Sequence, residues 1–336
     1  MGNRIHHLSL GKSLFIASVV ICFGSLTAAP LQGNPLLLQE MSWADRDQPN
    51  DRGPDLEIPI CVDPRISCGV SGCTIVMAAR NGLVLAGNNE DRNHLKTIAT
   101  FIPATKEYYG RIVFGFDDGF VQGGMNDQGL FIDANALAPT GWQPDPNKPT
   151  FRGLVMMVIL GTCATCKDAK AFFEKFNFPA LERARFPISD RSGASMVVEY
   201  GQGRVQFVRS DTWYQIATNF VMSNIKDGDF PCWRYRTADR ILSGAKELSV
   251  EIIREVLDKT HQEGESLTVY SNIYDLKKGM IHIYNLRNFE EVVVMNLSEE
   301  LKKGQRRLQL SSFFKHTGGE SLSANSGPNQ RKGGPP

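Results

Sequence analysis

The dipeptide Asn81-Gly82 separates two apolar runs, 74–79 and 83–86, and constrains the fold of this chain more than any other stretch. A two-residue hairpin loop needs φ > 0 at both loop positions, and asparagine and glycine adopt that conformation at least cost. If residues 81 and 82 form the loop, paired positions sum to 163, and Cys73 faces Glu90, one residue from Asp91. A bulge at Gly87 would shift the pairing by one place. In either register the turn brings a thiol and a carboxylate together at one end of a two-stranded ribbon.

That juxtaposition suggests a reaction. Cleavage of the bond between Gly72 and Cys73 would give Cys73 a thiol and a free α-amine in one residue. An α-amine titrates near ~8 in free peptides, close enough to neutral pH to take the thiol proton without a histidine. Asp91 would hold and orient that amine. The plainer alternative is a small residue that begins a buried strand, followed by a solvated acidic turn.

Composition sets the outer limits. A chain of 336 residues accommodates one large domain with extensions, or two small ones. Its 42% hydrophobic and 22% charged residues are those of an ordinary globular protein. A net charge of +1 gives no electrostatic basis for nucleic acid or an acidic membrane as partner. Residues 1–29 read as an export signal: Arg4, His6, His7 and Lys12 precede the apolar run 14–26, and Thr27-Ala28-Ala29 follows it. The run falls short of the roughly 20 apolar residues a span requires, so no stable membrane span is expected after signal removal; an uncleaved anchor is the alternative. The product would be secreted or periplasmic. Residues 30–72 read as a linker or propeptide removed at Gly72-Cys73, 73–312 as the catalytic domain and 313–336 as a disordered tail.

Six of the seven cysteines follow the signal: Cys61, Cys68, Cys73, Cys163, Cys166 and Cys232. The pair Cys163-Ala-Thr-Cys166 has the spacing of redox and metal sites, but one such pair without a second or a nearby histidine is a weak zinc signal. A local disulfide or two buried thiols is the preferred reading, and an exported thiol–disulfide protein the competing one. No metal and no cofactor are expected.

Strand patterns recur at 97–102, 111–116, 129–135, 194–200, 204–208, 213–218, 266–274, 280–284 and 292–295, with helices at 154–163, 167–176, 234–246 and 250–259. This order implies a layered α+β domain with large, mainly antiparallel sheets. Three polar clusters punctuate it. GGMNDQGLFIDANAL (123–137) is a glycine-bounded turn leading into a strand that ends at Asn135. Thr218-Asn219 closes another strand, and PCWRYRTADR (231–240) places Arg234 and Arg236 near a helix start.

Taken in order, Gly72-Cys73-Thr74, Asp91, GMNDQGL with Asn135, and Thr218-Asn219 resemble the choloylglycine hydrolase and acyl-CoA:6-aminopenicillanate acyltransferase group of N-terminal nucleophile (Ntn) hydrolases, over residues 70–312. The resemblance implies a four-layer αββα fold and a self-processing enzyme that cleaves linear amide C–N bonds of a small N-acyl substrate through a thioester. An acyltransferase of the same fold is the close alternative, and an oligomer is left open. The resemblance makes Cys73 the nucleophile, Asp91 the residue that binds its amine, and the Asn219 side chain and the Asn135 backbone N–H the oxyanion donors. Arg234 would be the positive charge favouring thiolate, with Arg236 competing for that role. Bile salt and penicillin acylases of the group carry an arginine where this chain has Asn88, so conjugated bile acids are expected to be poor substrates; Arg92 is the residue that could replace the charge.

Overall fold

The computed structural model describes residues 72–314 except 227 and 265. The expected export signal, the linker as far as residue 71, Cys61, Cys68 and the tail beyond 314 lie outside the described residues. No described helix is long and apolar enough to cross a membrane.

The hairpin forms in the register read from its turn. Asn81 and Gly82 have φ of 52° and 82°, the left-handed pair of a type I′ turn. Strand β1 (Thr74–Arg80) pairs with β2 (Leu83–Asp91) from Thr74–Asn89 to Arg80–Leu83, with no shift at Gly87.

These two strands sit at the centre of a six-stranded antiparallel sheet. β11 (Tyr214–Ala217) flanks β1, and β12 (Thr268–Asp275), β13 (Met280–Asn285) and β14 (Val293–Asn296) continue outward from β2. The second sheet runs β10 (Arg204–Val208), β9 (Ser195–Gly201), β8 (Ala184–Asp190), β6 (Leu130–Ile132), β5 (Val121–Asn126), β4 (Arg111–Phe116), β3 (Thr97–Ile102) and β15 (Arg306–Gln309). The two-residue β7 (Asn135–Ala136) pairs separately with β8.

Because side chains alternate across a strand, β1 sends Ile75 and Met77 into the core between the sheets and Val76 and Ala78 toward the helices. Helices α3 (Trp233–Gly244) and α4 (Val250–Thr260) cover the first sheet through Leu242, Ile253 and Leu257. Helices α1 (Val155–Thr162) and α2 (Cys166–Lys175) cover the second through Ile159, Leu160 and Phe173. The short α5 (Leu297–Lys302) follows β14. The architecture is α+β, a four-layer αββα sandwich with antiparallel sheets. Both faces of each sheet are buried, and this accounts for the nearly unbroken apolar runs.

Five features differ from the sequence reading. Residues 123–126, read as a turn, belong to β5; two consecutive glycines mask a strand whose partners β4 and β6 supply the pairing. The strand expected to end at Asn135 breaks at Asp133-Ala134, between β6 and β7. The break faces Pro187 of β8, whose carbonyl accepts from the Asp133 N–H. A proline and two charged residues inside β8 removed its strand signal. β15 and α5 were likewise not anticipated.

Arg185 explains how so polar a strand is tolerated in the interior. Its guanidinium is fully buried and spans the two sheets. Nη1 lies 3.2 Å from Glu199 Oε2 and 2.6 Å from the Phe220 carbonyl, Nη2 donates to the Thr218 carbonyl, and Nε lies 3.3 Å from Asn135 Oδ1. Removing one partner of a buried ion pair leaves an uncompensated charge and typically costs about 3–5 kcal/mol. Arg185→Met should therefore lower the stability of the folded chain by that order, read from the urea unfolding midpoint; an unchanged midpoint would refute the bracing role.

Candidate active site

The site lies where β1 begins, against the C-terminal end of β2. Gly72 enters it so tightly that a methyl group on its Cα would fall 1.8 Å from Asn219 Nδ2. Only glycine fits there. Its carbonyl oxygen accepts from Arg234 Nη1 and, at 3.0 Å, from Gln262 Nε2. Cys73 follows, 3% exposed, with Sγ donating to Glu90 Oε2 at 3.1 Å and Gln122 Nε2 at 3.7 Å from the sulfur.

The residues singled out in the sequence converge here. Arg234, on the first turn of α3, is completely buried. Besides Gly72 it reaches Thr74 Oγ1 at 3.3 Å, Asp91 Oδ2 at 3.5 Å and, through Nη2, Asn219 Oδ1 at 2.8 Å. Asp91 also accepts from Gln262 Nε2 at 2.6 Å and from the Thr268 hydroxyl. The Asn135 side chain donates to the Cys73 carbonyl at 3.0 Å, and Asn219 Nδ2 donates to the Ala136 carbonyl at 2.8 Å. Arg236 is elsewhere, exposed and donating to the Phe230 carbonyl at 2.6 Å. Arg92 bonds Asp118 at 3.1 Å and stacks 4.2 Å above Phe116. Asn88 is buried, and its Oδ1 has no partner among the described residues.

Three site residues were missed. Glu90 had a signal, as the position opposite Cys73 in the hairpin register. Gln122 and Gln262 had none, because β5 reaches the thiol, and the segment after α4 reaches the Gly72 carbonyl and Asp91, only through tertiary packing.

The electrostatics differ from the expected thiolate site. Arg234 directs its charge at the Gly72 carbonyl and Asp91, while the sulfur faces carboxylates. Burial, followed by Glu90, Asp91 and Asp133, pushes the Cys73 thiol well above its ordinary value. Burial and the neighbouring Asp133 likewise raise Glu90, and burial raises Asp133. The resting Cys73 side chain is therefore a protonated thiol. Asp91 is raised by burial to about 7, held from going higher by Arg234 and by hydrogen bonds from Thr268 and Gln262. Cys163 and Cys166 are free, buried thiols, both raised chiefly by burial. Among the described residues no group of three His, Cys, Asp or Glu side chains is placed to hold a metal ion.

In the uncut chain, Asp91 binds its proton more tightly when folded than when unfolded. Its stabilising contribution is complete below the unfolded value near ~4 and disappears as pH rises through about 7. Glu90 and Asp133, also raised in the folded chain, act in the same direction from their unfolded values upward. Stability of the Cys73→Ala chain, measured by urea unfolding, should thus decline between pH 4 and pH 8, and adding Asp91→Asn should make the decline below about 7 shallower. A double variant with the same slope would place the titration elsewhere.

No protein-family model and no curated protein matches this sequence. Solved structures do. A cysteine-to-alanine mutant of the conjugated bile acid hydrolase from Clostridium perfringens aligns with a TM-score of 0.54 at 16% identity, covering 70% of this chain and 95% of the other. An arginine-to-leucine variant of the same hydrolase gives 0.55 at 16% identity with the same coverage. Penicillin V acylase from Agrobacterium tumefaciens gives 0.45 at 15% identity, over 68% of this chain and 86% of its own. At such identities the likeness is one of fold, and the chain shares its αββα fold with the conjugated bile acid hydrolase.

Proposed function

We propose that the chain is an exported, self-processing cysteine hydrolase that cuts the Gly72–Cys73 bond and then cleaves the linear amide bond of a small N-acyl substrate through a thioester on Cys73. The observation that carries this reading is the state of the Gly72 carbonyl. It is held by two side-chain donors, one of them cationic, directly beside a buried thiol. That arrangement is suited to an acyl carbon under attack, since donors aimed at the oxygen stabilise the charge that develops on it. The sulfur reaches this carbonyl through a five-membered ring. Hydrolysis of the resulting ester frees the α-amine that serves as base in turnover, near Asp91.

Departure of Gly72 vacates the space against Asn219, where the carbonyl of an N-acyl substrate would then bind. The amide neighbours on which the reading draws, a conjugated bile acid hydrolase in particular, share its fold. Asn88, in place of the arginine of bile salt hydrolases, favours a different acyl group. An acyltransferase would use the same thioester and differ only in the acceptor. The redox reading through Cys163 and Cys166 is disfavoured, because a thiol buried and raised in this way is a poor attacking group.

Intact mass and N-terminal sequencing of the purified protein test the reading. The mature chain should begin at Cys73, and Cys73→Ala should keep the 72–73 bond and lack amidase activity. An active wild-type protein with that bond uncut would overturn the free-amine mechanism.

Asn219→Ala should still process, since the Gly72 oxygen is held by Arg234 and Gln262. It should lose turnover of the best amide found in a screen of N-acyl amino acids, acyl-ethanolamines, penicillin V and conjugated bile acids. The loss expected for one oxyanion donor is about 100- to 1000-fold; near-wild-type turnover would remove Asn219 from the site.

A further inference from the structure

Self-processing raises a difficulty that turnover does not. Before the bond is cut, Cys73 has an amide nitrogen instead of an amine, so the base assigned to turnover does not yet exist. The thiol is protonated, and some other group must take its proton.

The surroundings of Sγ leave one candidate. Glu90 Oε2 accepts the thiol proton at 3.1 Å, whereas the other side-chain partner, Gln122, is a donor. Asp91 is engaged by Gln262, Thr268 and Arg234. Asp133 Oδ1 accepts from the Ala134 N–H at 2.7 Å. The position is set by the hairpin: with Thr74 opposite Asn89, the next pair outward is Cys73 and Glu90, side by side on the face between the sheets. We infer that Glu90 is the general base for cleavage of the Gly72–Cys73 bond, a step distinct from the amine-assisted turnover of substrate.

The inference rests on the self-processing reading and assigns its first step. The Sγ–H proton passes to Glu90 Oε2 as sulfur bonds to the Gly72 carbonyl carbon, and the oxygen takes the electron pair under the donors Arg234 and Gln262. The C–N bond then breaks, and its electrons go to the Cys73 nitrogen, which takes the proton back from Glu90 and becomes the amine. Water adds to the thioester carbon, releasing Gly72 as a carboxylic acid and restoring the thiol. A carboxyl raised by burial and by Asp133 is better matched to a thiol proton than an ordinary glutamate is. The charged and titratable groups facing it are Cys73 on β1, Asp91 and Arg92 beside it on β2 and its end, Asp133 between β6 and β7, and Tyr270 and Tyr274 on β12.

The test follows cleavage of the pulse-labelled full-length chain made by cell-free synthesis, with and without hydroxylamine, which cleaves thioesters. Wild type should cut, faster as pH rises toward ionisation of Glu90, and Cys73→Ala should not. Glu90→Gln should slow cleavage about 100-fold or more, the usual contribution of a general base, lose the pH dependence and gain nothing from hydroxylamine, because no thioester forms. Glu90→Asp should fall between. If Glu90→Gln does not fold, Glu90→Asp decides alone: slowing of at least about tenfold with a shifted pH profile supports the assignment. Cleavage of either folded variant at the wild-type rate overturns it, and so does hydroxylamine rescue of Glu90→Gln. Failure of the wild type to cut, or cutting of Cys73→Ala, would instead refute self-processing itself.

Discussion

One buried guanidinium organises the site. Arg234 touches Gly72, two residues before β1, the first residue of β1, the last of β2 and the segment after β11, and it does so from the helix layer. A fully buried cation survives only if acceptors and a counter-charge surround it. Here the carboxylate of Asp91, two side-chain oxygens and one carbonyl supply them, while Nε has no acceptor among the described residues. Sheet, helix and loop are therefore held in one arrangement by the solvation requirement of a single side chain. That arrangement points a positive charge at the Gly72 carbonyl.

The second sheet meets this site through another buried guanidinium. Arg185 binds the Thr218 and Phe220 carbonyls on either side of Asn219, and it contacts Asn135, whose amide holds the Cys73 carbonyl. Cys73 is thus tied to both sheets: it leads into β1, and its carbonyl accepts from Asn135, whose strand pairs with β8. Such preorganisation suits a reaction in which charge appears on an oxygen and must be met without rearrangement.

Around the sulfur the balance is reversed. Glu90, Asp91 and Asp133 surround a thiol that burial already keeps protonated. The carboxylates oppose a standing thiolate, so the proposed cleavage would move the proton as the bond forms. In that proposal, positive charge on the carbonyl side and a proton acceptor on the sulfur side divide the work between electrophile and nucleophile.

Much of this was legible in the chain itself, and the limit has a physical cause. Asn81-Gly82 favours a two-residue type I′ turn, so local backbone sterics set the β1–β2 register beside the turn; that it continues past Gly87 without a bulge, bringing Cys73 to Glu90, was settled only by the assembled sheet. Apolar periodicity likewise located the four main helices and most strands, because burial repeats with the geometry of each element. Periodicity could not reveal β5 or β8, where glycines, a proline and charged residues are compensated by neighbouring strands distant in sequence. Nor could it choose between Arg234 and Arg236, two residues apart on one helix; packing of α3 against the first sheet buries one and leaves the other in solvent. Gln122 and Gln262 reach the Cys73 thiol and the Gly72 carbonyl only once the two sheets and α4 are assembled. Local sterics and burial patterns are written in adjacent residues, whereas the partners of a buried charge or a polarised carbonyl come from wherever the tertiary fold brings a donor within 3 Å or so.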